Sequence, residues 1–139
     1  MNVLVDTSVW SLALRRRPGD LSVAERSAAV ELTELIKEGR AQILGPIRQE
    51  LLSGIKEPVQ YEKLCATLRS FPDEQLNTVD YEAAAKASNE CRSRGVTVSA
   101  VDILICTVPI ARGWSLFSTD TDFKNYGAIL PIKLHAPRK

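Results

Sequence analysis

The sequence predicts an α/β fold, a mostly parallel sheet with helices on both faces. Apolar runs short enough to be strands are few, and helical stretches separate most of them, so crossover connections rather than hairpins must join the strands. The second observation is the stretch Val98–Phe123. After Ser99 the residues are apolar all round a 3.6-residue wheel, which predicts a buried helix; Gly113 turns the chain, and Ser115-Leu116-Phe117 reads as a strand. This unit carries Asp102 at a helix N-terminus and delivers Thr119, Asp120 and Asp122 beyond a strand C-terminus. In a parallel sheet those two places share the edge where ligands bind.

The other elements follow in order. Asn2–Asp6 is a short apolar run ending in an acid, a central strand, and Thr7–Leu14 is a short helix. Arg15-Arg16-Arg17 opens a basic loop that runs to Asp20. Ser22–Lys37 is amphipathic, with Val23, Val30, Leu32, Leu35 and Ile36 as its apolar stripe, and Gly39 closes it. Ala41–Leu44 is a second strand. Gly45-Pro46 begins a third helix, whose inner face carries Ile47, Leu51 and Gly54, with Glu50 beside it. Pro58–Leu68 is helical, with Val59, Leu64 and Leu68 apolar. Leu76–Val79 reads as extended, and Asp80 as the N-cap of an Ala-rich helix reaching about Arg94. Pro109 inside the buried helix predicts a kink or an early end, because an interior proline costs about 3 kcal/mol. Ala128–Leu134 reads as an edge strand, where Pro131 is tolerated, and the last few residues as frayed.

Composition narrows the chemistry. A chain of 139 residues without a linker, repeat or low-complexity segment is one domain with one core. A net charge of +1 gives no global attraction to nucleic acid, so any basic surface is local. No apolar run is long enough to span a membrane and the N-terminus does not resemble a signal peptide. Cys65, Cys91 and Cys106 lack metal-ligand spacing and read as reduced, which points to the cytoplasm. The one histidine, His135, lies near the C-terminus, so paired-histidine ribonuclease chemistry is excluded. If the protein is an enzyme, carboxylates, with or without a metal, must carry its chemistry.

Asp6, Glu50, Asp102, Asp120 and Asp122 come from separate elements that the predicted topology brings to one sheet edge. Each has an ordinary explanation. Ser99-x-x-Asp102 fits a capping pattern, Asp6 and Asp120/Asp122 can cap the helices after them, and Glu50 can lay its stem along the core. Clustered carboxylates, however, raise one another's pKa unless a cation neutralises them, and an all-oxygen donor set suits Mg²⁺ or Mn²⁺. Asp6 and Asp102 are the best direct ligands; Thr7, Ser8 and Thr119 are candidates to hydrogen-bond the carboxylates. Arg15, Arg16 and Arg17 are a local basic run, either a contact for a phosphate-bearing ligand or simply a solvated loop.

Four motifs in order, V-D-T-S-V-W at 5–10, R-Q-E-L-L-S-G at 48–54, S-A-V-D-I-L-I-C at 99–106 and F-S-T-D-T-D-F at 117–123, resemble the PIN-domain family, most of all its VapC branch of type II toxins. The resemblance covers essentially the whole chain. It implies a three-layer α/β/α sandwich and a Mg²⁺- or Mn²⁺-dependent endoribonuclease acting on RNA such as tRNA or rRNA. It further implies a homodimer inhibited by a cognate antitoxin. The family's acidic quartet falls on Asp6, Glu50, Asp102 and Asp120, with Asp122 accessory; Pro109 departs from the small residue expected there. The late position of Asp120-Thr-Asp122 argues against a haloacid-dehalogenase-type phosphatase, and the single acid after strand one argues against a phospho-receiver module. A catalytically silent PIN-like RNA-binding or scaffold protein would keep the same residues.

Overall fold

The computed structural model describes residues 1–139. Three short strands, β1 (Val3–Val5), β2 (Ala41–Gln42) and β3 (Ser115–Phe117), form one sheet in the order β2-β1-β3, with both pairings parallel. Every residue of β1 and β3 is buried, the pattern expected of a sheet covered on both faces. The helices are α1 (Thr7–Leu14), α2 (Val23–Lys37), α3 (Gly45–Leu52), α4 (Pro58–Leu68), α5 (Thr78–Ser93), α6 (Ala100–Arg112) and α7 (Asp122–Gly127). The chain leaves β1 in one direction to reach β2, then crosses back over β1 to reach β3. Right-handed crossovers therefore put the two connections on opposite faces. Accordingly α1 and α2 pack on each other with α2 against β2, while α6 covers β1 and β3 and carries α5 on its outer side. This is the α/β sandwich that the strand and helix pattern predicts. No helix is long and apolar enough to cross a membrane.

Thirty buried side chains make one apolar core, centred on β1, β3 and α6. Trp10 fills it beside the sheet, donating its indole N–H to the Val5 carbonyl and standing edge-on to Phe71. The three cysteines are free.

Several local expectations need correction. Asn77, not Asp80, caps α5. The Asn77 side chain accepts the Asp80 N–H while the Asp80 carboxylate accepts the Asn77 N–H, so the helix begins at Thr78 and leaves no extended 76–79 segment. Helix α6 does not end early at Pro109. It continues to Arg112, whose guanidinium is tied to Glu74, to Asp80 and to the Gln75 carbonyl, and Gly113 (φ +72°) closes it with Trp114 N–H returning to the Pro109 carbonyl. Val23, Val30 and Val59 are exposed, and Gly54 is an exposed left-handed turn rather than part of an inner face. The inner side of α2 instead carries Ala28, Leu32, Leu35 and the carboxylate Glu31.

The expected strand over Ala128–Leu134 shrinks to one bridge, Leu134 to Leu116. Pro131 brings no N–H, and Ile132 N–H closes a tight turn onto the Leu130 carbonyl, so pairing starts only at Lys133. The C-terminal segment is then held by charge: Glu31, only 2 % exposed, accepts from His135 Nε2 at 2.5 Å and from Arg138 Nε at 2.7 Å.

A candidate carboxylate site at the sheet edge

In a parallel sheet the ligand crevice opens beyond the strand C-termini, where successive connections leave for opposite faces. Here that point lies between β1 and β3. Asp6 follows β1 and still donates its N–H to the Phe117 carbonyl, so it is locked against the end of β3. Its carboxylate is oriented by two hydroxyls: Ser8 and Ser118 each donate to Oδ2 at 2.8 Å. Both hydroxyl protons are thereby used, and the 3.3 Å approach of the two serine oxygens is a contact rather than a third bond. Backbone groups complete the loop, with Thr119 N–H donating to Ser8 Oγ and Asp120 N–H to Ser118 Oγ. Asp6 is buried, yet Oδ1 takes no hydrogen bond and is not among the solvent-excluded unpaired atoms, so it remains open toward the crevice.

Asp102 stands at the third position of α6. The same chain holds acids at the same position in two other helices, and they behave differently. Glu25 in α2 and Asp80 in α5 fold back on the cap and accept its N–H, closing a reciprocal capping box. At α6, Ser99 Oγ accepts the Asp102 N–H, but the Asp102 carboxylate makes no hydrogen bond at all. Capping does not account for it. Electrostatics separate the three in the same way. The backbone hydrogen bond at Ser22 holds Glu25 below the usual carboxylate range, and Arg112 and then the Asn77 N–H do so for Asp80. Asp102 is pushed up to about 6, by burial first and then by the charges of Asp6, Asp120, Glu50 and Asp122.

The four other predicted acids therefore all bear on Asp102. The five are graded in exposure: Asp6 is buried, Asp102 half-buried, and Glu50, Asp120 and Asp122 exposed. Glu50 makes no side-chain hydrogen bond, and Asp120 Oδ1 accepts the Asp122 N–H, so a turn-capping role for Asp120 is real alongside its place in the cluster. Burial and the Asp102 and Asp122 charges push the Tyr126 phenol up to about 12, so it stays neutral beside the acids.

No three acidic, histidine or cysteine side chains are arranged as a ready-made metal cage. The donor chemistry nevertheless fits Mg²⁺, which keeps several waters and takes one or two protein carboxylates. Asp6 Oδ1 and the Asp102 carboxylate are the unpaired carboxylate oxygens on the buried side of the cluster, with Glu50 and Asp122 also unpaired on its exposed side. A further unpaired oxygen, Thr7 Oγ1, is buried without a partner next to Asp6.

Of the hydroxyl residues expected to support the carboxylates, Ser8 contacts Asp6 directly, Thr119 contributes only its backbone N–H, and Thr7 contributes nothing to the hydrogen-bond network. Sequence reasoning missed Ser118, although it stands inside the F-S-T-D motif between the strand and the acid. The basic loop lies apart from the acids. Arg15 follows the far end of α1, about 12 Å of helix from Thr7, and Arg16 is paired with Glu25 at 3.0 Å.

Comparison with known proteins places the chain in a family. The PIN domain profile matches residues 3–129, and the chain belongs to the PIN domain family. No curated protein matches it in sequence. Among solved structures, a chain of VapBC2 from Rickettsia felis, bound to a DNA fragment from its promoter, superposes with a TM-score of 0.73 at 20% identity, covering 97% of this chain and 98% of that one. A chain of FitAcB from Neisseria gonorrhoeae gives 0.75 at 17% identity, covering 97% of each. VapBC-1 from nontypeable Haemophilus influenzae gives 0.72 at 12% identity over the full length of both chains. At such identities these likenesses show the shared fold.

Proposed function

We propose that this protein is the toxin of a type II toxin–antitoxin pair, an endoribonuclease dependent on Mg²⁺, with Mn²⁺ able to substitute. The observation that carries the reading is the Asp102 carboxylate, left unpaired beside Asp6 at the switch point of a PIN fold while its two positional counterparts are satisfied as caps. A bound Mg²⁺ supplies charge neutralisation at a phosphate and a water of lowered pKa. The protein's own part is to fix Asp6 in one orientation through Ser8 and Ser118, and to keep Oδ1 and the Asp102 carboxylate free on the crevice side. Glu50, Asp120 and Asp122 line the exposed rim, where they orient waters and discourage a phosphodiester from settling without a cation. The solved relatives are VapBC and FitAB assemblies, two of them on DNA, and this supports a cognate antitoxin as partner. A homodimer, a cytoplasmic location and a tRNA or rRNA substrate belong to the same reading.

The test is incubation with total cellular RNA, with and without Mg²⁺, followed by mapping of the cut ends. Discrete cuts that vanish in EDTA are expected. RNA bound but left whole in Mg²⁺ would instead identify a catalytically silent RNA-binding member of the family.

Of the basic loop, Arg15 and Arg17 are the residues left for phosphate contact, since Arg16 is engaged with Glu25 and the Asp20 carbonyl. Replacing Arg15 and Arg17 with Gln is expected to make the salt dependence of RNA binding shallower, by about 0.7 per lost contact on a single strand. An unchanged slope in a salt titration marks the loop as solvated and uninvolved.

A further inference from the structure

A cavity of about 410 Å³ opens on the other side of the Ser118–Asp120 loop from Asp6, between that loop, α2 and the C-terminal segment. Ala28, Phe117 and Phe123 lie beneath it, each at most 2 % exposed, and the apolar surface it presents comes from Ala24, Ala136, Pro137 and the half-exposed Leu134. Its rim carries neutral hydroxyls from Thr119 and Thr121, together with one cation, Lys124, while the Ser118 hydroxyl there is already engaged with Asp6. Size and lining are those of a site for a small, mostly apolar group with polar edges. The C-terminal wall is fixed: His135 N–H donates to the Leu116 carbonyl, and the His135 ring and Arg138 are both held by the buried Glu31. The cavity is therefore present before anything enters it.

We propose that this cavity receives one unstacked base of the RNA strand, next to the phosphodiester presented to the carboxylates. The inference rests on the nuclease reading and names how the substrate is held. Continuity decides the occupant. Ser118 orients Asp6 and also lines the cavity, and Asp120 belongs to both, so the cavity and the carboxylate site share one loop and a strand lying on the carboxylates passes the cavity mouth. Charge agrees. Apart from Asp120 at the shared edge, the lining presents no acid, so a neutral base is accepted where a phosphate among the five carboxylates is not. Single-stranded RNA is commonly read in this manner, by bases splayed out of the stack into apolar pockets edged by hydrogen-bonding groups.

The experiment compares binding of a fluorescent octauridylate with that of an abasic ribose-phosphate octamer of equal charge, at low salt in Ca²⁺, by anisotropy. The wild type is expected to bind the base-bearing strand about tenfold more tightly, the weight of one base taken out of water against an apolar wall. Ala24→Leu and Ala136→Leu, combined, narrow the cavity from two exposed wall positions, and thermal melts confirm folding. The double variant should bind both strands alike, at the abasic level. Equal binding of the two strands by the wild type overturns the proposal, and is the result a pocket built for a protein side chain would give. So does a double variant that keeps the tenfold preference. RNA cleavage accompanied by either result leaves the nuclease reading standing without the pocket; base-dependent binding without cleavage in Mg²⁺ does the reverse.

Discussion

Asn at position 102 is expected to lower metal-dependent RNA cleavage by about 10³-fold or more while leaving the protein folded, and Asn at position 6 should do the same. The magnitude follows from what is removed. A positioned cation with its activated water supplies several kcal/mol of transition-state stabilisation, and each 1.36 kcal/mol is a factor of ten in rate. Asp102 offers a carboxylate that no hydrogen bond inside the protein uses, so its replacement takes nothing from the fold's own network. Asp6 differs, because its Oδ2 accepts two serine hydroxyls; an asparagine amide can keep only its oxygen for them. Ser118→Ala is a useful intermediate. It leaves both carboxylates but removes one bond that orients Asp6 and the acceptor for the Asp120 N–H, so a partial loss is expected. The measurement is the single-turnover cleavage rate of a mapped RNA site. Near-normal cleavage by a folded Asp102→Asn protein removes Asp102 from the chemistry and with it the assignment of the site.

How far the sequence could take this reading depended on range. Val98–Phe123 was legible because its signals are local: an all-round apolar helix, a glycine at its end, a strand, then acids. The same locality explains the errors. Asn77 and Asp80 are both good capping residues three apart, and only the reciprocal hydrogen bonds show that the first is the cap and the second its partner. Pro131 is compatible with an edge strand, but a proline that also forces a tight turn leaves room for a single bridge. Helix α6 runs past Pro109 to Arg112 rather than ending early, and the partners of Arg112, Glu74 and Asp80, lie 38 and 32 residues away, beyond any pattern a window can hold. Asp102 is the sharpest case. Ser-x-x-Asp describes a capping box and a site acid equally well, and the chain contains both outcomes. What separates them is which other acids the fold brings near, a property of topology that the carboxylate's own neighbours in sequence do not carry.

That ambiguity yields the second large expected effect, on stability. In the absence of metal, Asp102 is pushed up to about 6, by burial and by the four neighbouring carboxylates. A group whose pKa is raised on folding holds its proton longer in the native state than in the unfolded chain. From the unfolded value near 4 up to about 6, the native state therefore binds more protons, and stability falls as pH rises through that window. Above it the penalty is fully present; below about pH 4 it is gone. Asp102→Asn is accordingly expected to melt higher than wild type in EDTA at neutral pH, with the gap closing on acidification toward pH 4. The Ser99 cap is unaffected, since it uses the backbone N–H of residue 102. Adding Mn²⁺ should reverse the order. An ion that binds only the native state stabilises it by about 2.7 kcal/mol at a hundredfold excess over Kd, and the Asn variant should lose most of that increment. An acid that merely complements the helix dipole predicts the opposite sign in EDTA, a loss of about 0.3–1 kcal/mol that Mn²⁺ does not change. Melts of both proteins across pH 4–8, with and without the ion, distinguish the two. A variant that melts lower than wild type in EDTA, and still gains the full Mn²⁺ shift, makes Asp102 a helix cap and nothing more.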